Sequence, residues 1–113
     1  MTLATLISIA DKRLPMVLYT DLSADENSKK GARYNFVEKR WDGTNVTIDK
    51  IITIGEFRDS DVYKRVRTCD MITFATMPTR GISTIPDEYK LTHPMVVSIS
   101  IKSPYAMNSY KSK

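Results

Sequence analysis

A chain of 113 residues, 42% hydrophobic and 27% charged, has the size and composition of one folded domain, which leaves no room for two independent cores and argues against wholesale disorder. The net charge of +4 favours an anionic partner. Cys69 is the only cysteine, so no intramolecular disulfide and no cysteine-based metal cluster can form, and a reducing, cytoplasmic setting is expected, the host cytoplasm if the protein is viral.

The apolar run from Met1 to Ala10 has no basic region before it, and Asp11-Lys12-Arg13 cuts it short. Neither a signal peptide nor a membrane span is expected. Thr2 to Ala10 fits two periods: Leu3, Leu6, Ile7 and Ala10 share a helical face, while Leu3, Thr5, Ile7 and Ile9 alternate as in a strand. Pro15 restricts Leu14, and Met16-Val17-Leu18-Tyr19-Thr20 reads as a strand by its β-branched and aromatic content. Asp21 to Lys30 is polar and reads as a loop.

Arg33 to Trp41 reads as one continuous strand, with Tyr34, Phe36, Glu38 and Arg40 on one face and Arg33, Asn35, Val37, Lys39 and Trp41 on the other. On that alternation the three rings cannot share a surface. Asp42-Gly43 is a hairpin dipeptide, and Val46, Ile48, Ile52 and Ile54 form one face of an antiparallel partner that Gly55 closes. Arg58 to Val66 reads as a short helix capped by Asp59 or Ser60, with Val62 and Val66 on its inner face. Arg67 to Thr76 returns to strand, and Met77 to Pro86, with two prolines and a glycine, reads as a long loop or arm. Met95 to Lys102 is the clearest half-buried strand. Tyr105 to Lys113 is a polar tail.

The order strand, strand, strand, helix, strand, strand predicts a mainly β domain over residues 1–104. Its expected form is a five-stranded antiparallel OB-like barrel with one short helix between strands 3 and 4, followed by a short basic tail over 105–113.

Catalytic constellations are not expected. His93 is the only histidine, no acid, Ser or Cys lies near it in sequence, and the pairs Asp25-Glu26, Asp59/Asp61 and Asp87-Glu88 are explained by solvation and capping. No metal site and no cofactor are expected, and no Gly-rich phosphate loop occurs.

Function is concentrated in Ser28 to Trp41, where fourteen residues hold five cations, one anion and three aromatic rings. Cations meet phosphates and rings stack on bases when a protein holds an unpaired strand. The candidate nucleic-acid-binding residues are therefore Lys29, Lys30, Arg33, Tyr34, Phe36, Lys39, Arg40 and Trp41, with Arg80 extending the track. Arg58, Lys64, Arg65 and Arg67 form a second basic group.

The stretch Ser28 to Glu38 resembles the wing hairpin of small phage single-stranded DNA-binding proteins of the filamentous-phage gene V type. A basic residue and glycine, here Lys30 and Gly31, precede an aromatic-containing strand, here Tyr34, Phe36 and Glu38. That resemblance implies an OB-like fold, a homodimer and cooperative coating of single strands, with DNA favoured over RNA. The C-terminal Tyr110-Lys111-Ser112-Lys113 differs from the glycine-rich, acidic-tipped end of bacterial housekeeping single-strand binding proteins, which suits a phage or plasmid protein acting in replication or recombination. The competing readings are a non-enzymatic viral structural or interaction protein pairing through a β edge or the Met77 to Pro86 arm, and an RNA- or duplex-DNA-binding module.

Overall fold

The computed structural model describes residues 1–20 and 31–102, and it decides the ambiguous N-terminal segment in favour of helix α1, Leu3–Ile9. The deciding contacts are tertiary. The N–H groups of Leu3 and Ala4 donate to the carbonyl oxygens of Cys69 and Arg67, each at 2.9 Å, so the helix start is satisfied without a side-chain cap. Leu3 and Ile7, four residues apart, are fully buried.

Strand β1, Pro15–Thr20, forms where it is expected. The continuous strand expected over Arg33 to Trp41 does not form. It is a hairpin of β2, Ala32–Asn35, and β3, Arg40–Gly43. Asn35 makes the turn: its Oδ1 accepts the N–H groups of Val37 and Glu38 at 3.0 and 2.9 Å, and its carbonyl oxygen accepts the Lys39 N–H at 2.7 Å. An Asn side chain that bonds the backbone ahead of it favours a turn over a strand. Lys39 completes the reversal in the left-handed region, at φ 57°. Asp42-Gly43, expected as the turn, instead pairs with Arg33 and Ala32.

The strand expected from Val46 to Ile54 shrinks to β4, Ile52–Thr53. Thr53 and Glu56 then form a capping box that starts α2, Ile54–Arg58, with Thr53 Oγ1 accepting the Glu56 N–H and Glu56 Oε1 accepting the Thr53 N–H. Helix α3, Asp61–Val66, is capped by Ser60, whose Oγ accepts the Tyr63 N–H, and it buries Val62 and Val66 as its spacing predicts. Strand β5 runs Met71–Pro78, past the expected end at Thr76. The expected Met77 to Pro86 loop therefore begins as strand. It then makes a 3-10 turn at Thr79–Gly81, and helix α4, Asp87–Thr92, which the spacing does not signal, precedes β6, Met95–Ile101.

The sheet order is β3-β2-β1-β6-β5, with β4 pairing the start of β1. Strand β6 runs parallel to β1, with Met16 beside Val97 and Leu18 beside Ile99. The other pairings are antiparallel. This overturns the barrel: the sheet has six strands and stays open, with β3 and β5 as its ends, and the described residues carry four α-helices rather than one. The chain is a mixed α/β domain. Parallel pairing comes with coverage of both faces, and β6 is accordingly buried on both sides rather than half-buried.

Met16, Leu18, Ala32, Tyr34, Trp41, Val97, Ile99 and Ile101 meet α1, α2 and α3 on one face. Val17, Val96 and Tyr19 meet Ile48, Ile51, Ile82, Ile85 and Tyr89 on the other. The sheet thus sits between α1, α2 and α3 on one face and a layer of irregular chain with α4 on the other. Among the described residues no helix is long and apolar enough to cross a membrane.

A Cβ at Gly31 would collide with the Thr20 carbonyl oxygen, where β2 leaves β1. Gly31→Ala is expected to lower stability by more than about 1 kcal/mol, because the clash is with backbone. Lys39→Gly is expected to raise it by about 0.5–1 kcal/mol, since glycine bears the left-handed conformation without strain. Urea denaturation of the two variants checks both signs.

Candidate nucleic-acid interface

The hairpin register sets Tyr34 directly across from Trp41, so the rings that simple alternation separates come together on one face. Tyr34 packs edge-on against Phe36 and Trp41, with centroids 5.1 and 5.2 Å apart. Phe36 continues the series to Phe57 at 6.0 Å, and Phe57 to Tyr63 at 5.2 Å. Five rings therefore run from the hairpin into α2 and α3 as core. Tyr34 and Trp41 are 6% and 4% exposed, which leaves neither with a free face for a base.

Arg33 points to the opposite face, flanked in register by Tyr19 and Asp42, and it is only 3% exposed. Its guanidinium donates to the Thr44 carbonyl oxygen at 3.4 Å, to Thr84 Oγ1 at 3.2 Å and to the Val46 carbonyl oxygen. Tyr19 stands directly across from it on β1. Burial lowers the Arg33 pKa, and Tyr19, Asp42 and Asp49 act against that shift by favouring the charged form. The five donors of a guanidinium suit several carbonyls at once. In this structure they hold the chain around residues 44–46 and 84 onto the sheet.

Lys29 and Lys30 lie outside the described residues. Lys39 and Arg40 are exposed at the hairpin turn. Arg40 Nε sits 3.1 Å from Asp42 Oδ1, and Asp42 Oδ2 accepts Asn35 Nδ2 at 2.9 Å. Arg80 is exposed in the 3-10 turn that follows β5. The edge strands β3 and β5 stand four strand spacings apart in the sheet order, about 19 Å. Arg80 is therefore not brought to the hairpin cations.

Other cations are. A groove of about 220 Å³ between the hairpin turn and the start of α3 is lined by Tyr34, Phe36, Lys39, Asp59, Ser60, Asp61 and Val62. Asp59 also lines a larger groove of about 570 Å³ with Lys12, Arg13, Thr53, Gly55, Glu56 and Arg58. Arg58 Nη2 donates to the Ile7 carbonyl oxygen at 2.7 Å, while Arg13 forms a two-pronged pair with Asp11 at 3.2 and 3.0 Å and holds that carboxyl below its usual range. Lys12 and Arg13 are the residues that the sequence reading passes over as binding candidates. Their proximity to Arg58 is set by the Gly55 N–H donating to the Lys12 carbonyl oxygen at 2.9 Å and the Ile54 N–H to the Leu14 carbonyl oxygen at 2.8 Å, beside the β1–β4 pairing. The lining is of mixed sign, since Glu56, Asp59 and Asp61 share it.

His93 caps the end of α4: its N–H donates to the Tyr89 carbonyl oxygen at 2.7 Å, and its Nδ1 lies 2.7 Å from Thr92 Oγ1. Cys69 is half-buried against the helical core. Among the described residues no group of three His, Cys, Asp or Glu side chains could hold a metal ion. Neither a protein-family model, nor a curated protein, nor a solved structure matches this chain.

Arg33→Met removes the donors while leaving the Thr44 and Val46 carbonyl oxygens under the covering layer. A loss of about 2–4 kcal/mol in unfolding free energy is expected, and Arg33→Lys is expected to recover only part of it. Burial also raises the phenol pKa of Tyr19 and of Tyr34. The folded state then keeps those protons at a pH where the unfolded chain has lost them, so their contribution is whole below about pH 10 and falls away as pH rises through the folded values. The urea midpoint is expected to drop as the pH rises above about 10, and Tyr19→Phe and Tyr34→Phe to flatten the drop.

Proposed function

We propose that this chain is a non-enzymatic binding protein for single-stranded nucleic acid, DNA in preference to RNA, that coats a strand as a homo-oligomer with little sequence preference, as phage and plasmid replication or recombination require. The observation that carries the reading is the exposed Lys39-Arg40 turn, which follows Lys29 and Lys30 in sequence; Lys39 lines a groove that shares Asp59 with the one lined by Lys12, Arg13 and Arg58. Binding on this reading is by phosphate contact. Burial of Tyr34 and Trp41 removes stacking by those two rings and leaves half-buried Phe36 in the groove, and a grip on phosphates discriminates poorly between sequences.

The test is fluorescence polarisation with labelled oligo(dT) across a salt series. Affinity is expected to fall steeply with salt, and Lys39→Glu with Arg40→Glu to lower the slope of log K against log salt by about 1.4, two single-strand phosphate contacts. Trp41 emission is expected to stay unquenched at saturation. Absence of binding at low salt sinks the proposal. Competition by oligo(U) and by duplex DNA separates single-stranded DNA from the RNA and duplex readings. The place of β5 at the end of the sheet, with its neutral run from Ile72 to Met77, favours the second reading, an interaction protein, and that reading stands alone if the salt series shows no binding.

A further inference from the structure

The groove between the hairpin turn and the start of α3 holds two opposite charges that do not meet. Lys39 belongs to its hairpin wall, and Asp59 to the wall made by the junction of α2 and α3. Among the described residues neither side chain makes an ion pair or a hydrogen bond. Their neighbours are engaged: Asp61 faces Lys64 at 3.8 Å, and the Ser60 hydroxyl donates to the Phe57 carbonyl oxygen and accepts the Tyr63 N–H. Lys39 is also held at φ 57°, a conformation that strains any residue with a Cβ and that clusters where proteins clamp ligands.

Between the two walls the groove is lined by Tyr34, Val62 and the half-buried Phe36. Its volume of about 220 Å³ lies below the roughly 300–1,000 Å³ of sites for larger ligands and suits one flat ring system. Unpaired strands are held by stacking their bases on aromatic side chains and bonding the base edges. An ionised carboxylate only accepts hydrogen bonds and an ammonium only donates them. A base that fits both walls must therefore set neighbouring donors on one side and neighbouring acceptors on the other. Guanine does so, with N1–H and N2–H₂ on one side and O6 and N7 on the other. Adenine and cytosine each set one amino group beside ring acceptors, and thymine has a single N–H between two carbonyls.

We propose that this groove is a guanine subsite, in which the base lies against Phe36, the Asp59 carboxylate accepts N1–H and N2–H, and the Lys39 ammonium donates to O6 and N7. The inference rests on the single-strand reading above and adds a base preference to it. An ammonium has three donors, so Lys39 reaches the base edge while keeping a phosphate oxygen. One base is read per chain and the rest of the strand is held by its phosphates, so coating stays largely indifferent to sequence. The carboxylate sets this site apart from a simple phosphate grip. A groove that takes phosphates alone is weakened by Asp59, whereas one that takes guanine uses it.

Fluorescence polarisation with the full chain at one low salt concentration tests it, comparing labelled oligo(dT) with an oligomer of the same length carrying isolated guanines. The guanine oligomer is expected to bind about fivefold tighter, the low end of what one two-pronged base contact discriminates. Inosine, which lacks the 2-amino group, and 7-deazaguanine, which lacks N7, are each expected to fall between guanine and thymine. Asp59→Asn removes a negative charge, so it is expected to leave oligo(dT) binding as tight or tighter while the guanine preference drops below about twofold; a folding defect weakens both. Lys39→Gly, the variant expected to be more stable in urea, is expected to lose the preference as well. Equal affinity for the two oligomers, a preference for another base, a preference that inosine retains in full, or one that survives Asp59→Asn overturns the subsite while oligo(dT) binding keeps the single-strand reading. Binding of neither oligomer removes that reading, and the subsite with it.

Discussion

The buried guanidinium of Arg33 is the interaction on which the layering of this protein depends. A cation taken out of water needs its donors satisfied, and Arg33, paired across from Tyr19 on the sheet, meets that need with the Thr44 and Val46 carbonyl oxygens and Thr84 Oγ1. These groups come from two irregular segments. Joining them holds the chain around 44–51 and 82–89 across the second face, where Val17, Val96 and Tyr19 need cover. With that face covered in this way and the first covered by helices, the sheet can hold the parallel β1–β6 pair and remain open.

The hairpin that carries Arg33 also redistributes function. Asn35 reverses the chain after Tyr34, so Tyr34 and Trp41 face each other and pass into the core with Phe36. What stays outside at the turn is charge, at Lys39 and Arg40. Exposed cations grip phosphates, whereas Tyr34 and Trp41, packed in the core, add stability at the same position and half-buried Phe36 lines the groove beside Lys39. The grooves beside the turn join residues from the N-terminal segment, the hairpin and α2, a grouping set by the Gly55 to Lys12 and Ile54 to Leu14 hydrogen bonds.

The two ends of the sheet differ in kind. Strand β3 is short and charged, and β5 is eight residues long and neutral over its middle. Edge protection is a matter of charge and backbone donors along one side of one strand, so the two ends of the sheet are protected unequally.

Local chemistry in the sequence by itself determined several elements: β1 and β6 from their β-branched runs, and α3 from its cap and the spacing of Val62 and Val66. Two more signals lie in the sequence and go unread by alternation alone. The Thr53-Ile54-Gly55-Glu56 capping box starts α2, and Asn35 starts the turn. Thr2 to Ala10 is different, because both periods fit it and helix wins only through the carbonyls of Arg67 and Cys69, more than sixty residues away in sequence. The same holds for the basic cluster of residues 28–41. Its composition is plain in the sequence, but whether a cation is buried and a ring is core depends on which face a reversed strand presents. Only the tertiary structure decided that Arg33 is a tether, that Tyr34 and Trp41 are core, and that β5 is an edge, since each depends on a neighbour that strand pairing brings from elsewhere in the chain.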